Sequence, residues 1–153
     1  MVIFAILLIG IWVMDGGGQM VVVDLFSGAG GLTEGFWREG YDIVAHIEKE
    51  KWACETLKTR LFYHFLKSNN NLELYNEYLG RSRGYEFIDA DRELIYNAYP
   101  ELRQKVQYEI LNRTFGNPAN DANTTSSREI IQMIEDSLRY NNRNEVNVII
   151  GGP

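Results

Sequence analysis

The sequence is poor in the residues that build covalent cross-links and metal centres. Its 153 residues include one cysteine, Cys54, and two histidines, His46 and His64. A single cysteine cannot form an internal disulfide, and the set is too small for a multi-cysteine zinc site. We therefore expect no disulfide framework and no metal, and we interpret Cys54 as a small buried hydrophobic residue rather than a nucleophile.

Basic residues are also in short supply. Fifteen Lys and Arg stand against twenty-one Asp and Glu, which gives a formal net charge of −6. Because affinity for nucleic-acid phosphates depends on clustered basic side chains, we expect weak or no DNA binding by this chain alone. The 45% of hydrophobic residues is nevertheless enough for a core. The composition is typical of a globular, cytoplasmic protein.

The amino terminus is apolar and lacks the features of a targeting segment. Residues 1–14 contain no charged side chain, and the first basic residue is Arg38. As a helix this run would rise about 21 Å, less than the roughly 30 Å of a bilayer core. It also lacks the basic start and the cleavage site of a secretory signal. We interpret residues 1–19 as an uncertain apolar leader with a Gly-rich joint, upstream of a domain at 20–153. A membrane or export segment is the alternative.

Three short apolar segments predict parallel strands. They cover residues 20–26, 41–47 and 146–150, are rich in Val and Ile, and suit strands buried on both faces. By analogy with the doubly wound α/β fold, we expect the first of them to lie between the other two. The sequence thus predicts an α/β fold, a partial Rossmann-like arrangement of parallel strands with a largely helical insert.

Helices are predicted from apolar spacing and from capping residues. We expect helices over 30–39 and about 51–67, the second with a stripe of Ala53, Leu57, Leu61 and Phe65. The stretch at about 72–140 is interpreted as a helical insert. Within this insert Pro100 separates a helix near 89–99 from one over 101–115. A capping box of Ser126 and Glu129 then opens the last helix.

A turn rich in glycine follows the first strand. Residues 27–31, Ser-Gly-Ala-Gly-Gly, form what we call the glycine bend, and Glu48 ends the second strand 20 residues after Gly28. A strand, a glycine turn and a helix N-terminus make a site for the polar parts of a nucleoside cofactor. Without β-carbons at 28, 30 and 31, a ligand can approach the backbone closely. An acidic side chain at Glu48 can accept hydrogen bonds from both ribose hydroxyls.

The residues around this bend favour S-adenosylmethionine over a dinucleotide. Thr33 stands where the dinucleotide fingerprint requires its third glycine, and Glu34 in the first helical turn would repel a pyrophosphate. S-adenosylmethionine has no phosphate and carries a sulfonium and an ammonium group, which suit the acidic neighbourhood of Asp24, Glu34 and Glu48. A dinucleotide oxidoreductase stays open as the weaker alternative.

Three segments resemble signatures of the cytosine-5 DNA methyltransferases, and they occur in the family's order. DLFSGAGGLTEGF at 24–36 resembles the first signature and EKEKWA at 48–53 the second. NVIIGGP at 147–153 is similar to the strand before the family's catalytic loop, which normally continues Pro-Cys-Gln. The resemblance covers residues 20–60 and 145–153 and implies a methyltransferase fold that uses S-adenosylmethionine.

The resemblance also implies a set of cofactor-binding residues. Phe26 would lie against the adenine, residues 27–32 would contact the ribose and the methionine portion, and Glu48 would hold the ribose hydroxyls. Lys49 stands where the family often stacks a residue on adenine. The complete set is Phe26, Ser27, Gly28, Ala29, Gly30, Gly31, Leu32, Glu48, Lys49 and Pro153.

One family signature has no clear match. Many members carry Gly-Asp-Ile after the third strand, with the Asp bound to the adenine amino group. The nearest candidates here are Asp89 and Asp91, and a helix N-cap is the better interpretation of either residue.

The function implied is that of a fragment of a DNA (cytosine-5-)-methyltransferase, of the kind found in restriction–modification systems, acting on double-stranded DNA. In that family a cysteine thiolate attacks C6 of a flipped-out cytosine, C5 takes the methyl group, and a base removes the C5 proton. The cysteine is expected two positions after Pro153, so no catalytic residue is assigned, and we expect no methyl transfer by this chain alone. The alternatives are an inactive cofactor-binding remnant or partner subunit, or an RNA methyltransferase.

Overall fold

The computed structural model describes residues 18–81 and 87–152. Residues 1–17 of the interpreted leader lie outside this range, as does Pro153. In the described residues no helix has the length and apolar character that a bilayer crossing requires.

A four-stranded parallel sheet forms the centre of the fold. Its strands are β1 (Val21–Leu25), β2 (Asp42–Glu48), β3 (Ile110–Asn112) and β4 (Val148–Gly151), in the order β3-β2-β1-β4. β1 pairs in parallel with β2 on one side and with β4 on the other. This confirms the three predicted strands and the central position of the first, whose residues 21–24 are buried as a strand covered on both faces requires.

The described part of the chain contains six helices. They are α1 (Gly31–Arg38), α2 (Lys51–Ser68), α3 (Leu72–Arg81), α4 (Ile88–Ala98), α5 (Glu101–Glu109) and α6 (Ser127–Tyr140). The predictions of α1, α2 and the helix before Pro100 are confirmed, and a helix also begins directly after Pro100. So is the capping box, in which Ser126 and Glu129 bond reciprocally at the start of α6. The region between β2 and β4 is largely helical, as predicted.

The sequence-based prediction was wrong at two places in this helical region. The helix expected over 101–115 ends at Glu109, and the chain continues as β3, parallel to β2 with His46 opposite Ile110. Ile110 continues the helical spacing of the residues before it, but a buried apolar residue satisfies a strand equally well. The N-cap interpretation is wrong too: Phe87 is the N-cap of α4, and Asp89 and Asp91 lie in its first turn.

The described residues pack into two large apolar cores and a smaller cluster of Cys54, Leu57 and Ile110. The first joins β1, β2 and β3 to Ile130 and Leu138 of α6. The second, which we call the helical cluster, lies among α2, α3, α4 and α5. Its fully or largely buried members are Phe62, Leu66, Tyr78, Ile95, Leu102 and Val106. The sheet core holds the strand ends in place, and these ends carry the candidate site.

Candidate functional site

The chain enters the glycine bend in an unfavourable backbone conformation. Phe26, Gly28 and Gly30 have φ angles of 58°, 54° and 80°. Glycine adopts positive φ readily, whereas for phenylalanine it costs about 1–3 kcal/mol. The backbone N–H groups of Phe26 and Ser27 both donate to the carbonyl of Ile47, at 2.8 and 3.3 Å. These bonds fasten the bend to the end of β2.

The glycines of the bend serve two different purposes. A β-carbon at Gly28 or Gly31 would meet no atom within 4 Å, so both positions face open space. At Gly30 a β-carbon would lie 2.7 Å from Leu57 of α2. The missing side chain at Gly30 therefore makes room for α2, and the open face of the bend, where a ligand can approach the backbone, is at Gly28 and Gly31.

Glu48 lies directly against the bend, as its position at the end of the second strand predicted. Its Oε2 accepts a hydrogen bond from the Gly28 N–H at 2.7 Å, and its Oε1 accepts one from the Glu50 N–H at 2.8 Å. The residue is 7% exposed. A carboxylate accepts up to about four hydrogen bonds, so Glu48 keeps acceptor capacity beside the bend.

An apolar surface adjoins these polar groups. The ring of Phe26 is 54% exposed and packs against Phe115, with 5.3 Å between ring centroids. Leu32, in the first turn of α1, is also exposed. A planar heterocycle can stack on such an exposed ring while the neighbouring backbone and carboxylate take its polar substituents.

The other predicted site residues differ in what they offer a ligand. Ser27 is buried, and its hydroxyl donates to the Asp24 carbonyl at 2.8 Å, so it shapes the bend from the inside. Ala29 and Lys49 are exposed, and the Lys49 ammonium lies 3.9 Å from the Glu50 carboxylate. Pro153 lies outside the described residues.

The end of β3 brings a further residue to the same edge, one that the sequence analysis missed. The Asn112 amide nitrogen donates to the carbonyls of Glu48 and Lys49, each at 2.9 Å. Its two N–H bonds are thereby directed at the β2 end, which leaves Oδ1 as the acceptor of that amide. The available signal was a polar residue directly after two buried apolar ones, Ile110 and Leu111.

A buried polar cluster lies beneath the bend. Asp24 of β1 is 1% exposed, and its Oδ2 accepts a hydrogen bond from the Thr33 hydroxyl of α1. Burial raises the pKa of Asp24 to about 6; the Glu48 charge adds to this, and the bond from Thr33 opposes it. On the neighbouring strand His46 Nδ1 lies 3.8 Å from Asp24 Oδ2. Because burial lowers the pKa of His46 to about 4, the two are not an ion pair near neutral pH.

A cavity of about 240 Å³ lies behind the bend, between α1, α2 and β2. Its lining includes Thr33, Glu34, His46, Arg60 and His64. Phe26 and Glu48 do not line it. The cavity is therefore distinct from the open face at Gly28 and Gly31, and it reaches the bend at Gly30.

The lone thiol does not belong to the candidate chemistry. Cys54 is 2% exposed, and its sulfur bonds to the Glu48 carbonyl at 3.5 Å. Burial raises the pKa of the thiol, which disfavours the reactive thiolate. The interpretation of Cys54 as a buried hydrophobic residue is confirmed. No group of three or more His, Cys, Asp or Glu side chains in residues 18–81 and 87–152 could hold a metal ion.

Comparisons with known proteins bear on this edge of the sheet. The sequence model of the C-5 cytosine-specific DNA methylases matches residues 20–100. The type II methyltransferase M.Bpa9945I of Bacillus paralicheniformis is 58% identical over 134 residues, which cover 88% of this chain and 30% of that protein. The type II methyltransferase M.DdeI of Desulfomicrobium norvegicum is 46% identical over 37 residues, 24% of this chain and 9% of that protein. No solved structure matches the chain.

Proposed function

Because this chain belongs to the C-5 cytosine-specific DNA methylase family, we propose that it is the cofactor-binding portion of a type II DNA (cytosine-5-)-methyltransferase. In the proposed reaction the whole protein transfers a methyl group from S-adenosylmethionine to C5 of cytosine in double-stranded DNA, within a restriction–modification system. The matched region is 30% of the length of M.Bpa9945I. The proposal therefore gives this chain the cofactor and leaves the cysteine nucleophile and the DNA surface to the rest of such a protein.

One contact supports the cofactor assignment above the others: the 2.7 Å hydrogen bond from the Gly28 N–H to Glu48 Oε2. It holds a carboxylate beside backbone that is open to a ligand. Two vicinal ribose hydroxyls are a matched pair of donors for such a carboxylate. Its negative charge also suits a ligand with sulfonium and ammonium groups, and it repels a pyrophosphate.

The adenine is assigned to the exposed face of Phe26. We assign the exocyclic amine to Oδ1 of Asn112, at the end of the third strand, where the family resemblance implied an Asp. Leu32, Ala29 and Pro153 remain proposed contacts of the cofactor, and Lys49 supplies no stacking ring. When bound, S-adenosylmethionine supplies an activated methyl group; the residues of this chain bind and orient it.

Calorimetric titration of the 153-residue chain tests the cofactor. We expect one binding site for S-adenosylmethionine and an affinity for NAD at least about tenfold lower, a difference of about 1.4 kcal/mol. Glu48→Ala removes the hydroxyl acceptor and should abolish measurable binding, whereas Glu48→Gln should retain part of it. Glu50→Gln is the matched control, because Glu50 contacts Glu48 through its backbone. Preference for NAD would contradict the proposal.

A chimera tests the reaction. The 134 matched residues of M.Bpa9945I are replaced by their counterparts from this chain, and bisulfite sequencing then reads cytosine methylation in DNA. We expect C5 methylation by the chimera and its loss when Glu48→Ala is added. A chimera that folds and binds S-adenosylmethionine but leaves cytosine unmodified would refute the reaction while sparing the cofactor assignment.

A further inference from the structure

Asp24 is bonded to both sides of the glycine bend. Its main-chain carbonyl accepts a hydrogen bond from the Ser27 hydroxyl, at the start of the bend. Its side-chain Oδ2 accepts one from Thr33, in the first turn of the helix that leaves the bend. Asp24 and Thr33 are both buried. One aspartate therefore sets how β1 and α1 approach each other, and with that the shape of the bend.

The second carboxyl oxygen of Asp24 receives no hydrogen bond. Asp24 Oδ1 and His46 Nδ1 are buried and have no hydrogen-bond partner in the described structure. The 3.8 Å between His46 Nδ1 and Asp24 Oδ2 is too long for a hydrogen bond. An ionised carboxylate in such a place lacks the cation that would offset its lost hydration, so burial favours the protonated form.

Other ionisable groups face the same region from the elements packed around Asp24. Glu48 acts on Asp24 from the end of β2, and His46, Glu34, Arg60, His64, Lys105 and Glu109 line the neighbouring cavity from β2, α1, α2 and α5. Glu34 bonds His64 at 2.9 Å and Arg60 at 3.4 Å, so these two side chains of α2 are directed at Glu34 rather than at Asp24. His46 is neutral near pH 6 because burial lowers its pKa to about 4. Asp24 changes charge between pH 5 and pH 7, since burial raises its pKa to about 6. Burial also raises the pKa of Glu109 to about 7 and lowers that of His64, and the Asp24→Asn variant distinguishes Asp24 from these two groups.

We propose that Asp24 is a positioning residue whose carboxyl loses its proton when S-adenosylmethionine binds. The inference rests on the proposed function. An ionised Asp24 forms a charge-assisted bond with Thr33, stronger than the bond to a neutral carboxyl, and so holds α1 in the bent geometry. The cofactor brings positive charge to a crevice that holds Glu48, and this charge favours the ionised state of Asp24. By reciprocity the ionised state favours the cofactor. The released proton goes to the buffer.

Titration of the wild-type chain in two buffers of different ionisation enthalpy measures this proton directly. We expect a fraction of one proton to be released per cofactor bound near pH 6, and release close to zero at pH 8. The dissociation constant should rise as the pH falls from 7 to 5, tenfold for each unit by which binding lowers the Asp24 pKa. This measurement needs no variant and does not depend on a substitution being tolerated.

Variants assign the proton to Asp24. Asp24→Asn keeps the shape and an acceptor for Thr33 but cannot titrate, so proton release near pH 6 should vanish and the affinity should become nearly independent of pH. Thr33→Val should lower the affinity several-fold, and Thr33→Ser should restore it. Circular dichroism confirms that each variant is folded.

The outcomes separate this inference from the proposed function. Binding of S-adenosylmethionine without proton release near pH 6, or equal release by the Asp24→Asn variant, would overturn the role of Asp24 and leave the cofactor assignment intact. Absence of binding at every pH would overturn both.

Discussion

The carboxyl edge of the sheet and the helical cluster are stabilised in different ways. At the edge, single contacts decide the geometry: Gly28 to Glu48, Thr33 to Asp24, and Gly30 against Leu57. In the helical cluster, aromatic and aliphatic side chains fill a shared volume, and many similar residues would do the same. A region of the first kind requires particular residue types, whereas one of the second kind requires apolar residues at a helical period. This difference explains why recognisable signatures gather at the edge and none in the cluster.

The largest expected loss of stability comes from breaking a buried ion pair beside the helical cluster. Arg92 of α4 is 1% exposed, bonds the Glu55 carboxylate and donates to the Glu55 carbonyl at 3.1 Å. Arg92→Met removes one of the two cations of Glu55, leaving Lys58 at 2.8 Å, and also removes the donor to the Glu55 carbonyl, so it should lower the free energy of unfolding by about 3–4 kcal/mol. Urea denaturation measures it. Arg103→Met, which breaks an exposed pair with Glu93, is the control and should lower the free energy of unfolding far less.

A smaller loss of stability is expected when either of two glycines of the bend is replaced by alanine, and the two variants should differ. Gly30→Ala combines a positive φ with a clash against Leu57 and should destabilise the fold by about 2–4 kcal/mol. Gly28→Ala meets open space, so only the backbone term of about 1–2 kcal/mol applies, yet its methyl group points into the proposed ligand crevice. Thermal unfolding should rank Gly30→Ala as the worse variant for stability. Equal losses of thermal stability in the two variants would mean that Leu57 of α2 does not pack closely against Gly30.

The free energy of unfolding should depend on pH through Glu109, which lies between the two regions. Glu109, at the end of α5, is buried beside Lys105, and burial raises its pKa to about 7. The folded state therefore holds this proton more tightly than the unfolded state, and stability falls as the pH rises from about 4.5 to 7. This rise in the pKa of Glu109 corresponds to a loss of about 3 kcal/mol of unfolding free energy over that pH range. Glu109→Gln should flatten this part of the pH profile of unfolding; an unchanged profile would contradict the burial argument.

The smallest expected effect is a gain in cofactor affinity at the carboxyl edge of the sheet. Lys49 is exposed and presents no ring to a bound adenine. Lys49→Phe should strengthen S-adenosylmethionine binding by about 0.5–1.5 kcal/mol, the range of an aromatic pair, with little change in stability. Calorimetry compares it with Lys49→Leu, which adds apolar surface without a ring. An equal gain from leucine would assign the effect to burial alone.

Sequence reasoning reached the strands, the bend and Glu48 because these features depend on residues close together in the chain. It missed β3 because Ile110 fits a helical stripe and a buried strand equally well. It also misplaced the buried face of α2, where Cys54, Leu57, Phe62 and Leu66 are buried rather than a strict four-residue series. A step of four residues turns about 40° beyond a full helical turn, so such a stripe drifts off the buried face.

Contacts between distant residues were beyond that reasoning. The crowding of Gly30 depends on Leu57, and the role of Asn112 depends on the pairing of β3 with β2. Neither partner is marked in the sequence by a distinctive local pattern.

The packing of Leu57 against Gly30 has a mechanical consequence. Leu57 belongs to α2, whose 18 residues form a rod about 27 Å long that continues to Phe62 and Leu66 in the helical cluster. The same rigid element therefore touches the bend with one half and anchors in the second core with the other. A change of packing in the helical cluster that tilts α2 would move Leu57 against Gly30 and so change the shape of the bend. The affinity for the proposed cofactor would then depend on side chains that never contact it.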